Sequence, residues 1–320
     1  MKIVFLDGEA LSKESQEYRE FEALGQVIWF SRTPNSLAAE RIGDAEIVFT
    51  DSCKVTRDVI DRCPNLRFIG IFASGFNSVD VEYAKEKGIP VYNVPGYAAQ
   101  NVAQHCFALL LYLCNHVNRY SESVRKGLWD QDDGFLYYEN PMIELAGKTM
   151  GVIGFGHIGR KIGKIASAFD MEILVNSRSK VPSADVAAMR FVGLEELFSK
   201  SDVVCLSCAL DDSNRHLINE DTIRMMKDGV ILINIARGGL IDESALANAL
   251  VSGKVASAAI DVITEESPGS NSPLMGLANC IITPHIAWNS EEARYRLIQI
   301  SFENLGKFLS MQNKLNGGKE

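Results

Sequence analysis

Clustered positive charge, long unbroken apolar runs and a paired set of cysteines are all missing from this chain, and each absence closes off a class of function. Lysine and arginine number 32 against 41 aspartates and glutamates, a formal net charge of −9. A surface of that sign repels nucleic-acid phosphates and anionic lipid headgroups, so neither is expected as a partner. No segment approaches the roughly 20 consecutive apolar residues of a membrane-spanning helix. Residues 1–6 form a short strand-like run closed by Asp7. A secretion signal would instead place a basic segment before a longer apolar one, so a cytoplasmic location is expected. The seven cysteines are odd in number and scattered through apolar segments, as suits free thiols used as small core residues in a reducing compartment. Cys205 and Cys208 do have Cys-x-x-Cys spacing, but residues 203–208 read as a strand. An odd spacing there sends the two sulfurs to opposite faces, so we assign no metal or redox pair.

Small-molecule chemistry is what remains for 320 residues that are 47% hydrophobic, a length that suggests about two domains. Short apolar runs at 3–6, 27–30, 47–50, 66–72 and 90–93 read as strands with amphipathic segments between them. That alternation predicts a parallel sheet covered by helices on both faces. No glycine-rich phosphate loop follows the first strand, so this half has the architecture without a nucleotide fingerprint. Residues 98–118 read as one long helix with Val102, Cys106, Leu109, Leu110 and Leu113 on its apolar face, and with His105 and His116 as structural or subunit-facing residues. Residues 119–147, with Trp129, Phe135, Tyr137 and Tyr138, read as an irregular aromatic segment suited to a subunit contact, and a homodimer is expected.

A second alternating series has strands at 150–153, 172–175, 203–208, 230–234, 257–260 and 281–282. Between its first strand and the helix that follows stands Gly154-Phe-Gly156-His157-Ile158-Gly159. The first glycine permits a tight turn, the second lets a pyrophosphate approach the backbone, and the third lets helix and strand pack closely. With unpaired N–H groups at the helix start, this is a dinucleotide cradle. The fold class expected is therefore α/β, with two Rossmann-like parallel-sheet domains and a cleft between them. The first domain is discontinuous, since a final helix over about 291–309 has no strand after it and can return to pack there. We expect 1–99 with 291–320 to bind substrate and 100–290 to bind the dinucleotide, with a loose tail from Asn313.

Ligands of open α/β sheets bind beyond the carboxyl ends of the strands, and the unusual polar residues of the second series lie there. Arg237, followed by Gly238 and Gly239, places a permanent cationic fork at the mouth of a buried strand, able to grip a carboxylate and polarise a neighbouring carbonyl. His285, in Thr283-Pro284-His285, follows the last strand and alone among the five histidines has an apolar-strand pedestal. A carboxylate hydrogen-bonded to one ring nitrogen would raise its pKa and aim the other nitrogen at substrate. Glu265 and Glu266 both offer such a partner, and spacing does not choose between them. In the first domain, Ser74 and Gly75 follow a buried strand, where backbone N–H groups can receive a carboxylate.

The glycine motif, Asn234-x-Ala236-Arg237-Gly238, Ala259-x-Asp261-Val262 with an acid five positions on, and Thr283-Pro284-His285 together resemble the D-2-hydroxyacid dehydrogenases over essentially the whole chain. Asn93-Val-Pro-Gly-Tyr97, Val102-Ala-Gln-His105 and His285-Ile-Ala-Trp288 look most like the glycerate dehydrogenase, or hydroxypyruvate reductase, branch. The resemblance implies reduction of a small 2-oxo acid such as hydroxypyruvate or glyoxylate by a nicotinamide cofactor. It further implies that Arg237 binds and polarises the substrate, Glu266 orients His285, and His285 protonates the carbonyl oxygen. By the same resemblance Asp261 holds the nicotinamide carboxamide, and Ser74 and Gly75 hold the substrate carboxylate. Gly154, Gly156, His157, Ile158, Gly159, Ser177, Arg178, Ala236 and Asp261 then line the cofactor, and Trp288 limits room beside the substrate.

One position departs from the NAD pattern. About twenty residues past the glycines, where an Asp or Glu accepts from the ribose 2′-hydroxyl, this chain has Ser177 and then Arg178. The carboxylate that would repel a 2′-phosphate is missing and a cation stands beside the gap, so we expect NADP or NAD, leaning to NADP. Two alternatives stay open: an enzyme like 3-phosphoglycerate dehydrogenase, though no basic cluster suits a substrate phosphate, and a non-catalytic NAD(P)-sensing protein of the same fold.

Overall fold

A computed structural model describes residues 1–8, 16–129, 141–184, 186, 189–266 and 271–317. The chain divides into two compact units, Met1–Ala98 with Asn289–Glu320, and Ala99–Trp288.

The first unit alternates β1 (Lys2–Phe5), α1 (Gln16–Glu22), β2 (Gln26–Trp29), α2 (Ala38–Ile42), β3 (Ile47–Thr50), α3 (Arg57–Arg62), β4 (Phe68–Ile71), α4 (Val81–Glu86) and β5 (Val91–Tyr92). Its five strands pair in parallel in the order β2-β1-β3-β4-β5, the flavodoxin-like doubly wound order. β3 and β4 are buried throughout, which is why they read as continuous apolar runs rather than as alternating ones. One face carries an aromatic cluster in which Phe5 meets Phe21, Phe49 and Phe72 mostly edge to face. The last helix, α11 (Glu291–Gly317), closes this face, with Phe302 on Phe21 and Phe308 on Phe68 at 5.2 Å between ring centroids. It continues through Asn313 to Gly317, so the loose tail expected from Asn313 is helical over that span. At the carboxyl end of β1 the buried carboxylate of Asp7 accepts the N–H groups of Ser52 and Cys53 at 3.1 and 2.8 Å. A side-chain acceptor thus takes up N–H groups at the end of β1, where the sequence has no glycine-rich loop.

The second unit begins with α5 (Ala99–Asn115) and α6 (Val117–Arg125). The expected single helix over 98–118 is therefore two, and residues 119–125, expected to be irregular, are helical. The break falls at His116, whose φ of 50° is left-handed. The buried stripe of α5 ends at Cys114, so nothing apolar holds the helix straight past Asn115. Of the aromatic segment, Trp129 is exposed, while Phe135, Tyr137 and Tyr138 lie outside the described residues.

There follow β6 (Thr149–Ile153), α7 (His157–Ala168), β7 (Glu172–Asn176), β8 (Met189–Phe191), α8 (Leu194–Lys200), β9 (Val203–Leu206), α9 (Glu220–Met225), β10 (Val230–Asn234), α10 (Glu243–Ser252), β11 (Val255–Ile260) and β12 (Cys280–Ile282). The seven strands run in the order β12-β11-β10-β9-β6-β7-β8, the dinucleotide-binding order 3-2-1-4-5-6 with one strand added beside the sixth. The sequence yielded six strands, and the one it missed is β8. This short edge strand is nowhere fully buried and so lacks an apolar signature. Cys205 lies within β9, its sulfur 3.5 Å from that of Cys106 on α5, whereas Cys208 falls beyond the strand. Among the described residues no helix is long and apolar enough to cross a membrane.

Candidate active site

The carboxyl ends of the seven-stranded sheet gather most of the residues singled out above. Gly154 follows β6 with φ of 93°, and a Cβ there would stand 2.6 Å from the Cys208 backbone, so only glycine makes this turn. At Gly159 a Cβ would lie 2.1 Å from the Gly154 carbonyl oxygen, while at Gly156 it would meet nothing within 4 Å. Strand and helix thus pack tightly on either side of one open position. Gly156 is the N-cap of α7 and offers no capping side chain, nor does the first turn carry an acid. The N–H groups of His157, Ile158 and Gly159 therefore begin the helix uncapped by a side chain, as a pyrophosphate cradle requires. Ser177 follows β7, half-buried. Arg178 is exposed, and its Nη1 donates to Asp211 Oδ2 at 2.9 Å.

β10 delivers Arg237. The fully buried Asn234 accepts the Ala236 N–H at 3.0 Å and donates to the Arg237 carbonyl at 2.9 Å, so this asparagine, the first residue of the Asn-x-Ala-Arg motif, sets the turn. Arg237 Nη1 rests on the Ala236 carbonyl at 2.6 Å. A Cβ on Gly238 would stand 2.1 Å from the Ile263 carbonyl carbon. The glycine is thus what lets the turn after β10 lie against the segment leading from β11 to Glu266. Glu243, at the start of α10, holds that segment at one point and a later residue at another: Oε1 accepts the Thr264 N–H at 2.7 Å and Oε2 accepts the Ser272 hydroxyl. Glu243 carried no signal in the sequence, since its two partners lie about 20 to 30 residues downstream, beyond any local spacing rule.

The ends of β11 and β12 are paired through Ile260 and Ile282, which sets Asp261 beside Thr283. Asp261 is 1% exposed. Its Oδ1 accepts the Thr283 hydroxyl at 2.6 Å and the Ile286 N–H at 3.0 Å; Oδ2 accepts the Ala287 N–H at 3.0 Å; and its carbonyl accepts the His285 N–H at 2.8 Å. Burial alone would raise this carboxyl, but His105, Thr283 and the two N–H groups outweigh it and hold the pKa below the ordinary value. The turn so fixed carries His285 at φ of 52°, a left-handed backbone that side-chain-bearing residues rarely adopt.

His285 Nδ1 stands 2.8 Å from Glu266 Oε2, so of the two candidate acids Glu266 is the one that pairs with the ring. That bond is the largest influence raising the imidazole pKa; burial opposes it, the Asp261 charge adds to it, and the nearby Arg237 guanidinium acts against it. A cation, an imidazole and a carboxylate from three strand ends therefore share one electrostatic neighbourhood. In the first unit, Ser74 and Gly75 lie past β4. Ser74 Oγ donates to the Val94 carbonyl at 3.0 Å, and Asn93 Nδ2 donates to the Ser74 carbonyl at 2.8 Å. α4 begins only at Val81, where Asp80 caps it, so this loop offers its own N–H groups rather than a helix terminus.

A dinucleotide-binding sheet with an arginine and a carboxylate-paired histidine at its strand ends is the arrangement of a nicotinamide-dependent dehydrogenase. Residues 107–287, more than half of the chain, match the family model for the D-isomer specific 2-hydroxyacid dehydrogenase, NAD binding domain. A hydroxypyruvate reductase of Blautia hydrogenotrophica is 46% identical over 312 residues, covering 97% of each chain. Among solved structures, an acyclic imino acid reductase in complex with NADPH and D-Arg matches with a TM-score of 0.87 and 29% identity over 97% of this chain and 98% of that one. The D-lactate dehydrogenase from Aquifex aeolicus, complexed with NAD and lactic acid, matches with a TM-score of 0.83 and 27% identity over 99% and 98% of the two chains. The chain belongs to the D-2-hydroxyacid dehydrogenase family.

Proposed function

We propose that the chain reduces a small 2-oxo acid, hydroxypyruvate or glyoxylate before longer ones, to the D-2-hydroxy acid. The observation that carries this reading is the 2.8 Å pairing of His285 with Glu266 within the field of Arg237. When bound, a reduced nicotinamide supplies a hydride to the carbonyl carbon. His285 gives the carbonyl oxygen a proton from Nε2, while Nδ1 stays on Glu266. Arg237 holds the substrate carboxylate and draws electron density toward the carbonyl oxygen. Ser74 and Gly75 contribute a carboxylate contact from their loop. Three of the roughly four acceptor positions of the Asp261 carboxylate are taken by the turn, which leaves one on Oδ2 for a carboxamide. The substrate class is supported by the 46% identical hydroxypyruvate reductase. Steady-state kcat/KM for hydroxypyruvate, glyoxylate, pyruvate and phosphohydroxypyruvate, with NADH and with NADPH, tests the proposal: hydroxypyruvate or glyoxylate should lead, and a lead for phosphohydroxypyruvate would move the chain to the phosphoglycerate branch. No turnover with any of them would leave a binding protein. A homodimer fits the exposed Val117 and Val124, seven positions apart on α6, and the exposed Trp129 beyond it.

The cofactor preference turns on Arg178 and Asp211. The cation proposed for a 2′-phosphate is already paired through Nη1 at 2.9 Å, so a phosphate shares the guanidinium with Asp211 or displaces it. A pair this exposed is screened by solvent and weak, and a phosphate brings a larger charge and more acceptor oxygens to the guanidinium fork, so the exchange favours the phosphate. Arg178→Ala should weaken NADPH binding by roughly tenfold or more, and Asp211→Asn should strengthen it by no more than about fivefold. Ser177→Asp should turn the preference toward NADH. Dissociation constants by titration calorimetry check all three, and an unchanged NADPH to NADH ratio in Arg178→Ala would end the NADP reading.

A further inference from the structure

Two side chains of α5 reach the turn that carries His285, and neither is among the groups placed against substrate or cofactor. Asn101 Nδ2 donates to the Ala287 carbonyl at 2.6 Å. His105 Nε2 stands 3.2 Å from Thr283 Oγ1 and 3.5 Å from Asp261 Oδ1. They are four residues apart, one turn of the same helix, and so lie on one face. The Thr283 hydroxyl proton is spent on Asp261, so at Thr283 the ring nitrogen is the donor, and His105 carries a proton on Nε2. The turn is thereby fastened at both ends to a helix: at Thr283 through His105, and at Ala287 through Asn101. Between these fastenings lies His285, in a backbone conformation that it would leave if the turn were free.

We propose that Asn101 and His105 are positioning residues, which hold from α5 the two ends of the turn on which His285 stands. They touch neither the reacting atoms nor the His285 ring; they act through Thr283, Asp261 and Ala287. A general acid works only within hydrogen-bond reach of the atom it protonates, and a displacement of about 1 Å can cost a hundredfold. An imidazole on a loosened turn would also leave the Glu266 carboxylate. Of the structural and subunit-facing roles expected for His105, its half-buried place against Thr283 and Asp261 fits the structural one.

The inference rests on the reading of His285 as the acid, so one of its two tests does not use activity. In the ligand-free protein, amide hydrogen exchange at Ile286 and Ala287, whose N–H groups bind Asp261, should quicken by about tenfold in His105→Leu and in Asn101→Ala. His105→Gln, whose side-chain amide can donate to Thr283, should restore the protection. In steady-state hydroxypyruvate reduction the same two variants should lose about tenfold in kcat with KM changed by less than about twofold, and His105→Gln should recover most of it. Unchanged exchange in Asn101→Ala and in a folded His105→Leu would overturn the proposal, as would a His105→Gln variant no better than His105→Leu. Should His105→Leu not fold, Asn101→Ala and His105→Gln decide the matter alone. A wild-type protein that turns over no 2-oxo acid would instead overturn the functional reading and leave the exchange result standing.

Discussion

His285→Ala should lose about two to four orders of magnitude in the rate of 2-oxo acid reduction, the usual contribution of a positioned proton donor. The loss should fall on kcat, because the imidazole works on the oxygen where negative charge develops and contributes less to holding the ground state. Cofactor binding should be unaffected: the glycine cradle at the end of β6 makes no use of this residue. The Asp261 carboxylate should also keep its bonds to the Thr283 hydroxyl and the Ile286 and Ala287 N–H groups, none of which involves the imidazole. Single-turnover rates with saturating cofactor check this, and a near-normal rate would remove His285 as the acid.

Arg237→Ala should cost about two to three orders of magnitude in kcat/KM, the range seen when a preorganised electrostatic contact to a developing oxyanion is removed. Here kcat and KM should both worsen, since one guanidinium is asked to hold the carboxylate and to polarise the carbonyl. Lysine should rescue little, because a point charge cannot make both contacts with the geometry of the planar fork. Asn234 and Gly238 build the turn that aims this side chain, and they remain in the variant. A loss confined to KM would show that Arg237 only binds.

These two residues were visible in the sequence because each stands a few positions past an apolar strand, at the sheet edge where ligands of this architecture bind. Gly154 and Gly159 were legible from their spacing between strand and helix, although the Cys208 backbone that also excludes a side chain at Gly154 was not. The five strands of the first sheet were equally plain, as continuous apolar runs between turn residues. β8 was not, since an unburied edge strand needs no apolar pattern, and the break at His116 was masked by apolar spacing up to Leu113. Long-range partners were the least legible. Glu243, Asn101 and His105 act on segments 20 to nearly 190 residues away, and only the folded sheet brings them there. Arg178 shows the reverse problem: its charge was plain, but its pairing with Asp211 across 33 positions was not.

The pH dependence of both reaction directions tests the pairing of His285 with Glu266 most directly. With His285 as the proposed acid, reduction needs the imidazolium and oxidation of the D-2-hydroxy acid needs the neutral ring. The first should therefore fall, and the second rise, through the titration of this one ring, whose pKa the Glu266 carboxylate holds above the ordinary histidine value. Glu266→Gln removes the charge that raises it most, so both limbs should move together to lower pH, and reduction should fade sooner as the medium becomes alkaline. Limbs that stay in place in Glu266→Gln would show that another group delivers the proton.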